Sequence, residues 1–154
     1  VLGLWARSQR KIGRWLQGQM LLGLIIGVIV FIALTILQVQ YAFILSILSA
    51  LFEIIPYFGP VMAAIPAIAV ASIQEPLLGL LVAGIYFIVQ QMENHLIYPQ
   101  VVRKTVGVPP LLAIIAILIG GKLAGMMGVI IAIPLAVVLV EYLIDIVDRK
   151  KNII

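Results

Sequence analysis

Long apolar runs fill this chain, and short breaks containing proline, glycine or polar residues separate them. Residues 20–37 and residues 123–140 each carry no charged side chain over 18 positions. An α-helix of that length reaches across most of a hydrocarbon layer about 30 Å thick. Each of these two runs is therefore predicted to cross a membrane as a helix.

The other apolar runs are shorter, and two of the breaks between them are rich in proline and glycine. Shorter helices are predicted at residues 41–55, 61–73, 77–92 and 111–119. The first of these is roughly 22 Å long as a helix, which is less than a comfortable span. The sequence Pro-Tyr-Phe-Gly-Pro occupies residues 56–60, and Gly120-Gly121 follows the last short run. We interpret each break as either a kink in one long helix or the tip of a re-entrant hairpin.

Composition places the chain in the membrane. Of its 154 residues, 64% are apolar and only 10% are charged, and the mean hydropathy is +1.27. Soluble domains carry about 25% charged residues. We therefore predict an all-α, polytopic integral membrane protein with interrupted helices or re-entrant hairpins. The chain contains no cysteine, so disulfides and thiolate metal sites are excluded.

Basic residues gather at the two ends of the chain. Residues 1–19 combine arginine and lysine with tryptophan and are predicted to form a basic, amphipathic interfacial lead-in; the alternative is an ordinary cytoplasmic helix. Residues 20–148 form the predicted transmembrane helical domain, and residues 149–154 form a basic tail. By the positive-inside rule, both ends face the cytoplasm. The bilayer accounts for the net charge of +4, so no nucleic-acid partner is predicted.

Ionisable side chains within the apolar region are few and costly, and such groups usually mark a substrate or ion path. Glu53 lies three residues before Pro56, where an unwound backbone offers carbonyl groups beside a carboxylate. This chemistry suits a coupling cation or a hydroxylated solute; the alternative is a carboxylate that pairs at the membrane surface.

Other polar side chains lie near the ends of apolar runs. On a helix Gln90, Glu93 and Asn94 share one face, which favours contact with a polar solute or solvation of a helix end. For Glu141 and Asp145, four residues apart near Arg149, we expect an interfacial ion pair.

Five ordered motifs resemble one family of bacterial membrane proteins. The chain resembles the autoinducer-2 exporter family in Glu-Ile-Ile-Pro-Tyr-Phe-Gly-Pro at 53–60, Glu-Asn-His-Leu-Ile-Tyr-Pro at 93–99, Thr-Val-Gly at 105–107, Ile-Gly-Gly at 119–121 with Gly-Met-Met-Gly at 125–128, and Ala-Ile-Pro at 132–134. The match covers essentially the whole chain as the C-terminal half of the family. One departure is Pro109-Pro110, where family members often have a His-Pro pair, so no role of that histidine is carried over.

The resemblance implies a location and a class of activity. Family members are inner-membrane proteins about twice this length that are thought to form homo-oligomers, so an N-terminal set of helices is expected to be absent here. Similar proteins have been linked to export of autoinducer-2, a small polyhydroxylated signal, and others to exchange of sodium or lithium for protons. The resemblance therefore implies a transporter without fixing its solute.

Sequence and resemblance together predict a secondary transporter rather than an enzyme, since no hydrolase elbow, metalloprotease helix or phosphate-binding glycine loop occurs. A small polar solute would meet backbone groups at the hairpin tips near the membrane midplane, with Na⁺ or H⁺ as coupling ion and no other cofactor. The alternative is an accessory subunit that transports nothing within a larger membrane complex. The candidate pathway residues are Glu53, Pro56, Tyr57, Gly59, Pro60, Gln90, Glu93, Asn94, Gly120 and Gly121.

Overall fold

The computed structural model describes residues 2–56, 58–97, 100 and 110–151. These residues are helical almost throughout, with no strand among them, which confirms the all-α prediction. The helices are α1 (Leu2–Ile36), α2 (Ala42–Phe52), α3 (Gly59–Gln74), α4 (Pro76–Met92), a π-helical turn (Glu93–Ile97) and α5 (Pro110–Lys151). The chain divides into two compact units, one within Gln17–Arg103 and the other within Val1–Leu16 and Lys104–Ile154.

Three stretches of described helix are long and apolar enough to cross a membrane: Ser8–Ile36, Pro76–Ile97 and Leu111–Ile144. Two shorter apolar helices, α2 and α3, accompany them. Helix α1 continues without a break through residue 19, where the sequence suggested that an interfacial segment ends. Large apolar side chains cover much of the surface, as a lipid environment requires.

In the Gln17–Arg103 unit, α2 and α3 form an antiparallel helical hairpin. Gln74, the last residue of α3, bonds to the turn that precedes α2: its Oε1 accepts from the Gln40 backbone N–H at 2.8 Å, and its Nε2 donates to the Gln38 carbonyl at 3.4 Å. The end of α3 therefore lies beside the start of α2. The hairpin interpretation of the first break is correct.

Helix α2 ends at Phe52 and α3 begins at Gly59, so the break between them lies slightly earlier than the sequence suggested. Gly59 and Pro60 already belong to α3, because proline is well suited to a first helical turn, where its missing N–H costs nothing. Glu53 consequently lies in the turn itself. Tyr57 is outside the described residues.

Small residues bring the helices of this unit close together. A Cβ atom added to Gly23 or Gly27 of α1 would lie 2.6 Å from the carbonyl oxygen of Ala50 or 2.9 Å from its Cβ. On α3, the alanines at positions 63, 67 and 71 are fully buried. Small residues on α1 and α3 thus lie at buried positions, as is common where helices pack in lipid.

Helix α5 is also a hairpin, but its break is not at Gly120-Gly121. Both of those glycines are helical, and the backbone leaves helical geometry at Ala124 and Gly125, where Gly125 has φ +58°. Only glycine adopts that conformation without strain. An added Cβ at Gly120 would overlap the carbonyl oxygen of Gly128, and one at Gly128 would overlap that of Gly120. Residues 110–123 and 126–151 therefore fold back on each other as two arms. Gly120 allows the arms to come close because it has no side chain.

Replacing Gly128 with alanine is expected to lower the apparent melting temperature of the purified protein by several degrees. The added methyl group meets backbone rather than a flexible side chain, so the two arms of α5 have to separate, at a cost of about 1–3 kcal/mol. The matched control is Gly84→Ala in α4, where an added Cβ meets no atom within 4 Å. Equal melting temperatures for the two variants would contradict the close contact between the arms.

Candidate functional site

The candidate site lies at the end of α2, where Glu53 enters the interior of the Gln17–Arg103 unit. Its side chain is 1% exposed, and neither carboxyl oxygen has a hydrogen-bond partner among the described residues. Gln19 of α1, which is 2% exposed, donates from Nε2 to the backbone carbonyl of Glu53 at 2.8 Å. A carboxylate paired at the membrane surface would not be enclosed in this way.

Glu93 brings a second carboxyl group to the same place. It is 4% exposed and begins the π-helical turn that continues α4. The side chains of Glu53 and Glu93 are close enough to interact electrostatically. Short π-helical turns inside longer helices are frequent at functional sites, since they shift side chains out of the regular helical register.

Gln19, Glu53 and Glu93 together form what we term the acceptor cluster. Four of its oxygen atoms are buried without a partner in the described part of the chain: Gln19 Oε1, Glu53 Oε1, Glu53 Oε2 and Glu93 Oε2. Neither glutamate forms an ion pair with a described residue. Buried acceptors without donors are unfavourable, so an arrangement of this kind is suited to a proton or a cation.

Gln19 relates the acceptor cluster to the apolar part of α1. The hydrogen bond from Gln19 places Glu53 level with the residue just before the uncharged run at 20–37 of α1. The expectation of a site near the membrane midplane stays a prediction. Helix α2, which ends there, has 11 residues, about 16 Å of helix.

A pair of hydroxyl groups extends the polar interior beyond the acceptor cluster. Ser49, one turn before Glu53 on α2, lies with its Oγ 2.7 Å from the Oη of Tyr86 on α4 and 2.9 Å from the carbonyl of Leu45. Since a carbonyl only accepts, both contacts are satisfied when Tyr86 donates to Ser49 and Ser49 donates to Leu45. Neither this pair nor Gln19 was predicted from the sequence.

Only part of the polar face predicted for Gln90, Glu93 and Asn94 lies at the site. Glu93 is buried, Gln90 is half-buried, and Asn94 is exposed. The π-helical turn changes the register after Met92, so Asn94 does not share the buried face as a regular helix predicts. His95 is also exposed, with its Nδ1 2.9 Å from the carbonyl of Gln91.

The described residues around the turn between α2 and α3 are mostly packed into the protein, although Phe58 is exposed. Ile55 and Pro56 are buried, and so is Gly59, where an added Cβ would overlap the carbonyl oxygen of Phe52. Pro60 is half-buried in the first turn of α3. These residues fix the position of Glu53 by closing the hairpin tightly around it.

The other unit contains an apolar groove and one buried ion pair. A cavity of about 470 Å³ follows α5, and the described residues that line it, including Ala116, Gly120 and Ala132, are all apolar. None of these residues offers a polar side chain to a solute. Glu141, which is buried, pairs with Lys11 of α1. The expected pairing of Glu141 and Asp145 with Arg149 involves side chains outside the described residues.

The types of ligand atom in the acceptor cluster limit which ions it can bind. No group of three or more histidine, cysteine, aspartate or glutamate side chains occurs in the described residues. The cluster itself supplies two carboxyl groups and one amide oxygen. Oxygen-only ligands of this kind suit a hard cation and not a metal that prefers nitrogen or sulfur.

Comparison with known proteins agrees with the motifs. The family model of AI-2E family transporters matches residues 1–148. Among relatives, YrrI of Bacillus subtilis is 36% identical over 129 residues, which is 84% of this chain and 36% of YrrI. YueF of the same organism is 35% identical over 137 residues, or 89% of this chain and 37% of YueF. The chain thus spans little more than a third of the length of these curated relatives, and no solved structure matches it significantly. The chain belongs to the AI-2E family of membrane transporters.

Proposed function

We propose that the protein is a secondary transporter of the bacterial inner membrane that moves a small polar solute or exchanges Na⁺ for H⁺. The observation that carries this proposal is the acceptor cluster: buried, donor-free oxygens at the break between two membrane helices. In transporters, broken helices place side chains and free backbone groups where solutes and coupling ions bind. Membership of a transporter family supports the same activity.

The proposed site consists of Glu53 and Glu93, held by Gln19 and by the turn from Pro56 to Gly59. The basic residues of α1 precede Gln19 in the chain, so the positive-inside rule places this end of the unit toward the cytoplasm and both termini on the cytoplasmic side. Movement of the α2–α3 hairpin against its neighbours would then open the site to one side of the membrane at a time. We also propose a homo-oligomer, as implied for the family.

The test is flux through the full-length protein in proteoliposomes, with sodium and proton gradients imposed separately. We expect a sodium gradient to drive proton movement, or either gradient to drive uptake of a small polyhydroxylated solute. Absence of flux under every gradient would contradict the proposal. Co-purification with other proteins at a fixed stoichiometry would then favour an accessory subunit of a larger complex.

A further inference from the structure

We propose that α5 binds one phospholipid molecule, with an acyl chain in the apolar groove along its two arms and the phosphate group at Lys122. This inference goes beyond the proposed transport function and does not depend on it. The groove and Lys122 both belong to α5, so the whole site lies within one of the two compact units.

The groove is apolar and open to the surface of the helix pair. Its lining residues come from both arms, from residues 112–124 and 128–139, and none of them carries a polar side chain. Two of them, Leu123 and Leu135, are 80% and 63% exposed. A surface of this kind meets hydrocarbon in a membrane, so an acyl chain can enter the groove from the side without leaving apolar surroundings.

The dimensions of the groove fit a single hydrocarbon chain. Each of the two lining segments is about 17 Å long as a helix, close to half of a hydrocarbon layer about 30 Å thick, which is the depth of one lipid leaflet. A volume of about 470 Å³ over that length of helix gives a mean width of about 6 Å. Carbon atoms in contact lie about 4 Å apart, so one chain fits, whereas an α-helix about 10 Å wide does not.

Lys122 supplies a positive charge at the end of the groove nearest the hairpin break. It follows Ile115 by seven residues and Ile119 by three, so on a helix it shares their face, and both isoleucines line the groove. The side chain of Lys122 is exposed and forms no ion pair or hydrogen bond with a residue that the structure describes. An unpaired charge on an apolar membrane helix is costly, so this lysine requires a partner from its surroundings.

A phospholipid supplies both the apolar chain and the charged partner. Lysine side chains extend along apolar surface and place the ammonium group among lipid headgroups, where the phosphate carries the opposite charge. The groove alone would accept any hydrocarbon chain, and Lys122 alone would accept any anion. Their placement at one end of the same helix face selects a molecule that has both parts.

The experiment is native mass spectrometry of the purified full-length protein in detergent, titrated with phosphatidylglycerol or with diacylglycerol that carries the same acyl chains. We expect saturable binding of one phosphatidylglycerol molecule per chain. Diacylglycerol, which lacks the phosphate, is expected to bind severalfold more weakly.

The variant that tests the groove is Ala116→Leu, which places a larger side chain at a half-buried lining position. We expect it to weaken phosphatidylglycerol binding at least about tenfold, because the acyl chain loses much of its contact area. The matched control is Ala69→Leu, which adds the same side chain at an exposed position of α3.

The variant that tests the phosphate contact is Lys122→Gln. Because Lys122 is exposed, this change leaves the packing of α5 intact and remains informative if Ala116→Leu does not fold. We expect phosphatidylglycerol binding to fall to the level of diacylglycerol, whose own binding stays unchanged. The matched control is Arg14→Gln, which removes an exposed positive charge from α1.

Each outcome decides the inference when size-exclusion profiles show which variants are folded. Absence of saturable phosphatidylglycerol binding, or equal binding by wild type and a folded Ala116→Leu variant, would overturn it. So would equal binding of the two lipids by the wild type, or an unchanged preference for phosphatidylglycerol in Lys122→Gln. Flux in proteoliposomes, present or absent, bears on the transport proposal alone.

Discussion

Replacing Glu53 with alanine is expected to abolish transport while the protein still inserts into the membrane at the wild-type level. The carboxyl group supplies two of the four unpartnered oxygens of the acceptor cluster, so its removal leaves Glu93 without the partner that completes the site. Stability should not fall sharply, because the side chain makes no hydrogen bond that the variant would lose. The measurement is gradient-driven flux per inserted molecule in proteoliposomes.

The control for this prediction is Glu75→Ala at the junction of α3 and α4. Glu75 has the same chemistry but is exposed, so its loss should leave flux within about twofold of wild type, as surface substitutions commonly do. Wild-type flux through the Glu53→Ala variant would show that the buried carboxyl group has no part in transport.

Replacing Gly59 with leucine is expected to abolish flux by moving Glu53 rather than by removing a ligand. Any side chain at position 59 overlaps the carbonyl oxygen of Phe52, and the next nearest atoms also belong to backbone. The first turn of α3 must therefore shift away from the end of α2, and the intervening turn carries Glu53 with it. A displacement of about 1 Å at a binding site is enough to lose most activity.

The matched control is Gly84→Leu in α4, which adds the same side chain where no atom lies within 4 Å of the new Cβ. We expect this variant to insert and to transport normally. Flux is again measured per inserted molecule, with protease resistance reporting the fold. A Gly59→Leu protein that transports at the wild-type rate would contradict the role assigned to the tight hairpin turn.

The first helix break could be located from the sequence because its signal is local. Proline and glycine at positions 56, 59 and 60 stop one helix and favour the start of another, whatever the rest of the chain does. Only the predicted helix boundaries differ from the structure, because Pro60 suits the first turn of α3 as well as it suits a loop.

The second break could not be located in the same way. Gly120, Gly121, Gly125 and Gly128 all weaken a helix equally by propensity. The position of the turn depends on which glycine adopts a left-handed backbone and which pair lets the arms approach, and both are properties of the folded hairpin. The sequence therefore predicted a break in this region and placed it four residues too early.

At the candidate site too, some residues could be predicted from local sequence and others depend on the fold. Glu53 and Glu93 stand out individually as acidic residues in apolar surroundings, and both were predicted. Helix packing brings these two residues together and places Gln19 and the Ser49–Tyr86 pair beside them. That packing joins positions more than 30 residues apart. Gln19 also precedes an apolar run directly, which by itself indicates ordinary solvation of a helix end.

The central claim is that the acceptor cluster is a site that ions reach from water. Because this chain has no native cysteine, Ser49→Cys places the chain's single thiol one helical turn before Glu53, at a buried position on α2. The measurement is the rate at which a small cationic thiol reagent labels this residue in proteoliposomes, with and without Na⁺. The account predicts labelling that Na⁺ slows, since the bound ion blocks the way past Glu53. Complete protection from the reagent in both conditions would contradict it, because the cluster would then be closed interior that no ion enters.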